Sequence, residues 1–303
     1  MEFLYILERI RVPLLDEIMY LLTNLGSMIV FLLVTMIFFW CIDKRKGYYL
    51  AIVGLGGTVL NQFMKLWFRI PRPWVLDENF TIVEAAREGA TGYSFPSGHS
   101  QSAVSTYAGI ALLTKRRWLR IVSIIIAVIV PFTRMYLGVH TPADVLVASV
   151  MALLLVFVLK PIVLGSEKNI KWVLLTTFLI SAIYLCFTRV YAFPQNVDIA
   201  CLLSGKENAL SMFGALFGLI VAYIVDQKWI NFSTKAVWWA QLLKVVLGLL
   251  LLLGVKELLK TPLNFFLGEE IGRIARYFLV TLTAGALWPI TFCWFGKLGA
   301  KEC

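Results

Sequence analysis

Apolar residues run through this chain in long blocks, broken by short charged or polar stretches. The blocks fall at about 26–42, 47–68, 97–114, 119–138, 142–163, 172–190, 208–225, 236–254 and 274–296. Each approaches the ~20 residues that a helix needs to cross roughly 30 Å of hydrocarbon. A membrane span must satisfy its own backbone hydrogen bonds, and blocks of this length do so as helices. The pattern therefore predicts an all-α protein, a polytopic transmembrane helical bundle. Three regions are expected: an interfacial segment over 1–25, a six-span core over 26–190, and three additional C-terminal spans over 191–303. The first segment reads as interfacial because Leu7, Ile10, Leu14, Leu15 and Ile18 recur at helical spacing. Glu2, Glu8, Arg9, Arg11, Asp16 and Glu17 interrupt it, which does not suit a cleavable signal peptide.

Composition agrees with the pattern. The chain is 60% hydrophobic and 15% charged, and its mean hydropathy is +0.81. A net charge of +10 could suggest nucleic acid. The basic residues, however, punctuate apolar blocks and form no stripe, so no nucleic-acid partner is expected. One set of loops collects Lys44, Arg45 and Lys46; Lys115, Arg116, Arg117 and Arg120; Lys160, Lys168 and Lys171; then Lys228, Lys235, Lys297 and Lys301. By the positive-inside bias that set faces the cytoplasm, with the N-terminus outside. Cys41, Cys186, Cys201, Cys293 and Cys303 form no CxxC pair and read as packing residues, with no disulfide framework or zinc site.

Several polar residues sit where a membrane helix does not ask for them. Lys65 and Arg72 stand seven residues apart at the end of the second block, before Pro73. Alone they would be snorkelling anchors. Phe95-Pro96-Ser97-Gly98-His99 opens the third block. Ser97 suits an N-cap, and Gly98 allows a ligand close to a helix start whose dipole favours anions. Arg134 ends the fourth block, and His140-Thr141-Pro142-Ala143-Asp144 opens the fifth. Thr141 suits a cap with Pro142 in the first turn, so His140 can meet the Asp144 carboxylate. Such a partner fixes the imidazole tautomer and sharpens the other nitrogen as a nucleophile. Simple alternation of spans brings these four ends to one side of the membrane. Three cations, both of the chain's histidines and a carboxylate at one depth mark an oxyanion site containing a nucleophile.

The three motifs, Lys65-x6-Arg72-Pro73, Pro96-Ser97-Gly98-His99 and Thr133-Arg134-x5-His140-x3-Asp144, resemble the signature of the type-2 phosphatidic acid phosphatase superfamily. That family includes lipid phosphate phosphatases, undecaprenyl pyrophosphate phosphatases, glucose-6-phosphatase and soluble vanadium haloperoxidases. Thr133 stands where the family usually has Ser, and its hydroxyl keeps a phosphate contact open. The resemblance implies a six-helix phosphatase core followed by about three further spans. It also implies catalysis without metal or other cofactor: His140 as nucleophile, Asp144 as its orienting partner, His99 as acid. Lys65, Arg72, Arg134, Ser97 and Gly98 would then bind phosphate.

The expected function is hydrolysis of a lipid phosphate or pyrophosphate, through a phosphohistidine, at the outer face of a plasma membrane. Phosphatidic acid, isoprenyl pyrophosphate, phosphatidylglycerophosphate and sphingoid phosphate all suit such a site. Membrane lipids are the expected surroundings, and no obligatory protein partner is expected. A phosphotransferase with the same intermediate is the alternative enzyme. A phospholipid transporter on the same fold is the non-enzymatic one, and it would not need His140, Asp144 and His99 together. Trp67, Trp74, Phe80 and Tyr93 could line the mouth, although aromatic residues also gather at membrane interfaces without a ligand.

Overall fold

The computed structural model describes residues 1–298, so Lys301 and Cys303 lie outside the described residues. Those described contain helices and no β-strand. The helices run α1 Glu2–Arg9, α2 Pro13–Thr23, α3 Met28–Ile37, α4 Lys44–Phe68, α5 Pro73–Leu76, α6 Gly98–Leu113 and α7 Arg117–Tyr136. They continue with α8 Pro142–Gly165, α9 Glu167–Val190, α10 Ile199–Val225, α11 Trp238–Leu258, α12 Lys260–Leu282 and α13 Phe292–Lys297.

Six helical stretches are long and apolar enough to cross a membrane: α7, α8, α9, α10 with its extension to Ile230, α11, and α12 continued to Lys297. The chain is thus a multi-pass membrane protein. A seventh span is possible where Pro13–Gly26 and Met28–Ile42 join across a 48° bend. Two of the sequence blocks fall outside this test for instructive reasons. Helix α4 has 25 residues, enough to cross, but opens on Lys44-Arg45-Lys46 and carries Asn61 and Lys65. Helix α6 has only 16 residues and includes five of serine, threonine or glutamine type, most of them buried. These two helices are lined for chemistry more than for lipid.

The chain divides into two compact units. The first holds residues 1–32, 53–160 and 191–206, and it contains the whole candidate site. Within it α6 and α7 pack along their length, and α4 fits tightly against its neighbours. An added Cβ at Gly54 would lie 2.1 Å from the Phe31 ring, and one at Gly57 would lie 2.2 Å from the Gln101 amide. The N-terminal segment forms two helices fastened to this unit. Leu4 and Leu7 are buried, Tyr5 donates to Asp77 at 2.6 Å, Arg11 reaches the carbonyls of Tyr136 and Thr81, and Tyr136 donates to Asp16 at 2.7 Å. Ile10, Leu14 and Ile18 of the predicted apolar stripe face outward.

The second unit holds 33–52, 161–190 and 207 onward. Here α10 and α12 approach through glycine: a Cβ at Gly214 would meet the Ile274 carbonyl at 2.3 Å. Two of its buried charges have partners within the unit. Lys44 bonds Asp226 at 2.7 Å, and Lys244 reaches the Trp40 carbonyl at 3.0 Å and lies over the Phe292 ring. Cys41, Cys186, Cys201 and Cys293 are free thiols, and Cys186 and Cys293 are exposed, so these two are not the packing residues their apolar surroundings suggested.

Candidate active site

Two helix starts and two helix ends form the site. Helix α4 stops at Phe68, where Arg69 takes a positive φ of 52°. The chain then reverses, and Arg72 sits in an extended link ahead of α5. Lys65 and Arg72 therefore do not share a helix face: the helix ends ahead of Pro71 and Pro73, as two prolines so close together lead one to expect. Both cations nevertheless reach the same loop. The Lys65 ammonium donates to the carbonyls of Tyr93 and Ser94. The Arg72 guanidinium donates to the carbonyls of Thr91 at 2.8 Å, Gly92 at 3.0 Å and Val139 at 3.0 Å. Arg72 is 6% exposed, and burial lowers its pKa to about 10, which still leaves it charged at neutral pH.

Ser97 caps α6 as its position suggested. Its hydroxyl accepts from the Ser100 amide at 3.4 Å and from the Ser100 hydroxyl at 2.9 Å. The first amides of the helix, at Gly98 and His99, have no intrahelical acceptor. His99 turns its ring toward the 84–94 loop, where a methyl added at Gly89 would lie 3.9 Å from Cε1.

Helix α8 starts with a reciprocal cap. The Thr141 amide donates to Asp144 Oδ2 at 2.7 Å, and the Asp144 amide donates to the Thr141 hydroxyl at 3.3 Å. This is the capping-box arrangement, with Asp in the acidic position. The same Oδ2 accepts the Ser94 hydroxyl at 2.6 Å and lies 3.4 Å from His140 Nδ1. A further bond, from the Ser97 amide to the Asp144 carbonyl at 3.0 Å, ties the α6 start to the α8 start.

These contacts fix the state of His140. Arg72 Nη1 lies 2.9 Å from His140 Nε2, and an arginine N–H can only donate. Nε2 is therefore the acceptor and carries the lone pair, while the proton sits on Nδ1 between Asp144 Oδ2 and Ser94 Oγ at 3.5 Å. Burial, and then the charges of Arg72, Lys65 and Arg134, push the His140 pKa well down, so the ring is neutral.

Arg134, in the last turn of α7, is 1% exposed. Its Nη1 donates to Thr23 at 2.9 Å, while Nε and Nη2 are buried without a partner. Thr133 departs from expectation: its hydroxyl turns back onto the Val130 carbonyl at 2.6 Å, as hydroxyls in helices commonly do, and its proton is not offered to the site. Among the aromatic residues, Trp74 lies under Arg72 and Arg87, Phe80 is buried against Tyr5 and Arg11, and the Tyr93 hydroxyl accepts from the Asp198 amide. Two contributors were not anticipated. Ser94 lies in an irregular loop with no motif to mark it, and Thr23 comes from the N-terminal helices. Among the described residues, no group of three or more His, Cys, Asp or Glu side chains is placed to hold a metal ion.

The chain is similar to a known family and to several of its members. Residues 45–168 match the model of the PAP2 superfamily, and residues 210–301 match that of the PAP2 superfamily phosphatase transmembrane extension. Phosphatidylglycerophosphatase B of Bacillus subtilis (strain 168) is 33% identical over 175 residues, covering 54% of this chain and 80% of the relative. Undecaprenyl-diphosphatase BcrC of the same organism is 30% identical over 145 residues, covering 47% of this chain and 72% of the relative. Mouse sphingosine-1-phosphate phosphatase 1 is 24% identical over 258 residues, 78% of this chain and 58% of that protein. No solved structure matches the chain closely. With both family models matched and a relative covered over four-fifths of its length, the chain belongs to the PAP2 superfamily and is a membrane-bound phosphatase.

Proposed function

We propose that the chain hydrolyses a lipid phosphate or lipid diphosphate, without metal, through a phosphohistidine on His140. The observation that carries this reading is a buried neutral imidazole that meets the Arg72 guanidinium at 2.9 Å, together with a buried Arg134 that keeps two unpartnered donors. An anion is the natural complement of such a pocket. The relatives share a phosphoryl group on a lipid and differ in the rest, which supports the headgroup chemistry and leaves the tail open.

In the first step the Nε2 lone pair of His140 attacks phosphorus, and the bond from phosphorus to the leaving oxygen breaks. His99 supplies the proton that the leaving oxygen takes up. Asp144 and Ser94 hold Nδ1–H and compensate the charge the ring gains. Arg72 exchanges its contact with Nε2 for the phosphoryl oxygens, joining Lys65, Arg134 and the open amides at Gly98 and His99, while the Ser97 amide stays on the Asp144 carbonyl. In the second step water attacks the phosphohistidine, His99 takes the water proton, and inorganic phosphate leaves. Water is the acceptor in this reading, so phosphotransfer to a second lipid is not required.

The site sits at the α4, α6, α7 and α8 ends opposite Lys44-Arg45-Lys46 and Lys115-Arg116-Arg117. With those basic loops inside, it faces outward, at a depth where a lipid keeps its tails in the bilayer. The test is phosphate release in EDTA from a panel of lipid phosphates, lipid diphosphates and soluble phosphomonoesters. Wild-type protein is expected to release phosphate from lipid substrates, and His140→Ala to lose about ten-thousandfold or more. Turnover that requires added divalent metal, or an active His140→Ala, would contradict the reading.

A further inference from the structure

We infer that Asn61 is a further substrate-contacting residue, whose carboxamide hydrogen-bonds a phosphoryl oxygen held over the start of α6. The inference rests on the phosphatase reading of the site and extends it to a residue outside the three motifs. Asn61 precedes Lys65 by four positions on α4, so the two side chains share one face of the helix. It is 1% exposed, and neither Nδ2 nor Oδ1 has a hydrogen-bond partner. A buried amide with both ends unmade is costly, and native proteins rarely keep one without a use.

Its direction is set by Gly98. A Cβ built on that glycine would lie 3.9 Å from Asn61 Oδ1, so the carboxamide faces the helix start whose first amides lack intrahelical acceptors. The space one turn further along α4 is closed: Gln101 packs against Gly57 and donates to Ser105 at 3.0 Å. Like the two unpartnered donors of Arg134, the Asn61 amide is a buried polar group that no protein atom satisfies. The chemistry that fits is an anionic, oxygen-rich group, the phosphoryl end of the substrate. A neutral amide donor there adds a hydrogen bond without adding a fourth charge.

The two roles a buried amide can have, structural or ligand-binding, predict opposite outcomes. Asn61→Leu removes two unpaired polar atoms and should leave the thermal midpoint of the ligand-free protein unchanged or raised. The same variant and Asn61→Ala should lose about ten- to a hundredfold in kcat/KM. Inhibition by orthovanadate, which mimics the five-coordinate phosphorus of the transition state, should weaken by a similar factor. Asn61→Asp should lose more, because it sets a carboxylate against the anion. Variants that match wild type in kcat/KM and vanadate inhibition would overturn the inference. So would Asn61→Leu or Asn61→Ala that unfolds or melts earlier, since that outcome makes the amide structural. His140→Ala run beside them separates the two readings. If it is inactive while Asn61→Ala behaves as wild type, only the inference about Asn61 fails. If His140→Ala stays active, the nucleophile assignment fails and vanadate binding alone decides the role of Asn61.

Discussion

The two helix starts that meet at the site are held in different ways. At α8 the backbone and side chains close on one another: Thr141 and Asp144 cap each other, Ser94 adds a third bond, and His140 is pinned against the carboxylate. At α6 the cap residue is satisfied by Ser100, while the amides of Gly98 and His99 are left open beside a glycine with no side chain to cover them. The first arrangement fixes one atom, Nε2 of His140, in direction and protonation. The second keeps a concave, donor-rich surface that has to be filled from outside. A nucleophile needs the former and an oxyanion needs the latter, so the contrast separates the attacking side of the site from the receiving side.

Asp144→Asn strikes the closed side hardest. An amide can still accept at Thr141, so stability should fall by only about 1 kcal/mol. It no longer compensates charge on the ring and can favour the wrong tautomer, so kcat should fall about a thousandfold. Steady-state kinetics with a thermal melt check both, and a kcat within tenfold of wild type would mean that the carboxylate only caps the helix. Ser94→Ala removes the 2.6 Å bond and leaves the carboxylate in place. Turnover should drop about tenfold, since one well-made hydrogen bond contributes on the order of 1 kcal/mol. A change confined to KM would move Ser94 to the receiving side.

The smallest effect is a displacement along the pH axis. Burial and the neighbouring cations lower the His140 pKa, and the neutral ring is the nucleophile. The active form therefore persists as pH falls through the ordinary imidazole range near 6.5, and protonation removes it only below that. The acid limb of kcat/KM, fitted with the ionisation of the substrate phosphate allowed for, should lie below pH 6.5. A limb at or above that value would mean that the closed side does not hold His140 as described.

Much of this contrast is readable from the residues themselves. Hydropathic blocks and their charged punctuation carry the helices, and alternation of spans is enough to gather Lys65, Ser97, Arg134 and His140 at one side. The cap at Ser97 and the pairing of Thr141 with Asp144 follow from local rules that act within four residues. What was not legible depends on where irregular chain goes. Arg72 arrives by a reversal after Arg69, not along a helix face. Ser94 sits in a loop whose path is set by the Ser94–Ile70 backbone bond and by Lys65, both distant in sequence. The docking of α1 and α2 through Tyr5, Arg11 and Asp16 carries Thr23 to Arg134, a contact between residues more than a hundred positions apart that no local pattern marks. Asn61 offered a signal, a polar residue inside an apolar block one turn from a lysine, but its lack of partners is visible only in three dimensions.

The central claim is that phosphorus becomes bonded to Nε2 of His140 during turnover. The direct test is a rapid quench in alkali during turnover of a phosphorus-32-labelled lipid phosphate, followed by peptide mapping. The account predicts a label that is stable in alkali, lost in acid and located on His140, and that is absent from His140→Ala. Label on another residue, or wild-type turnover with none on His140, would contradict it.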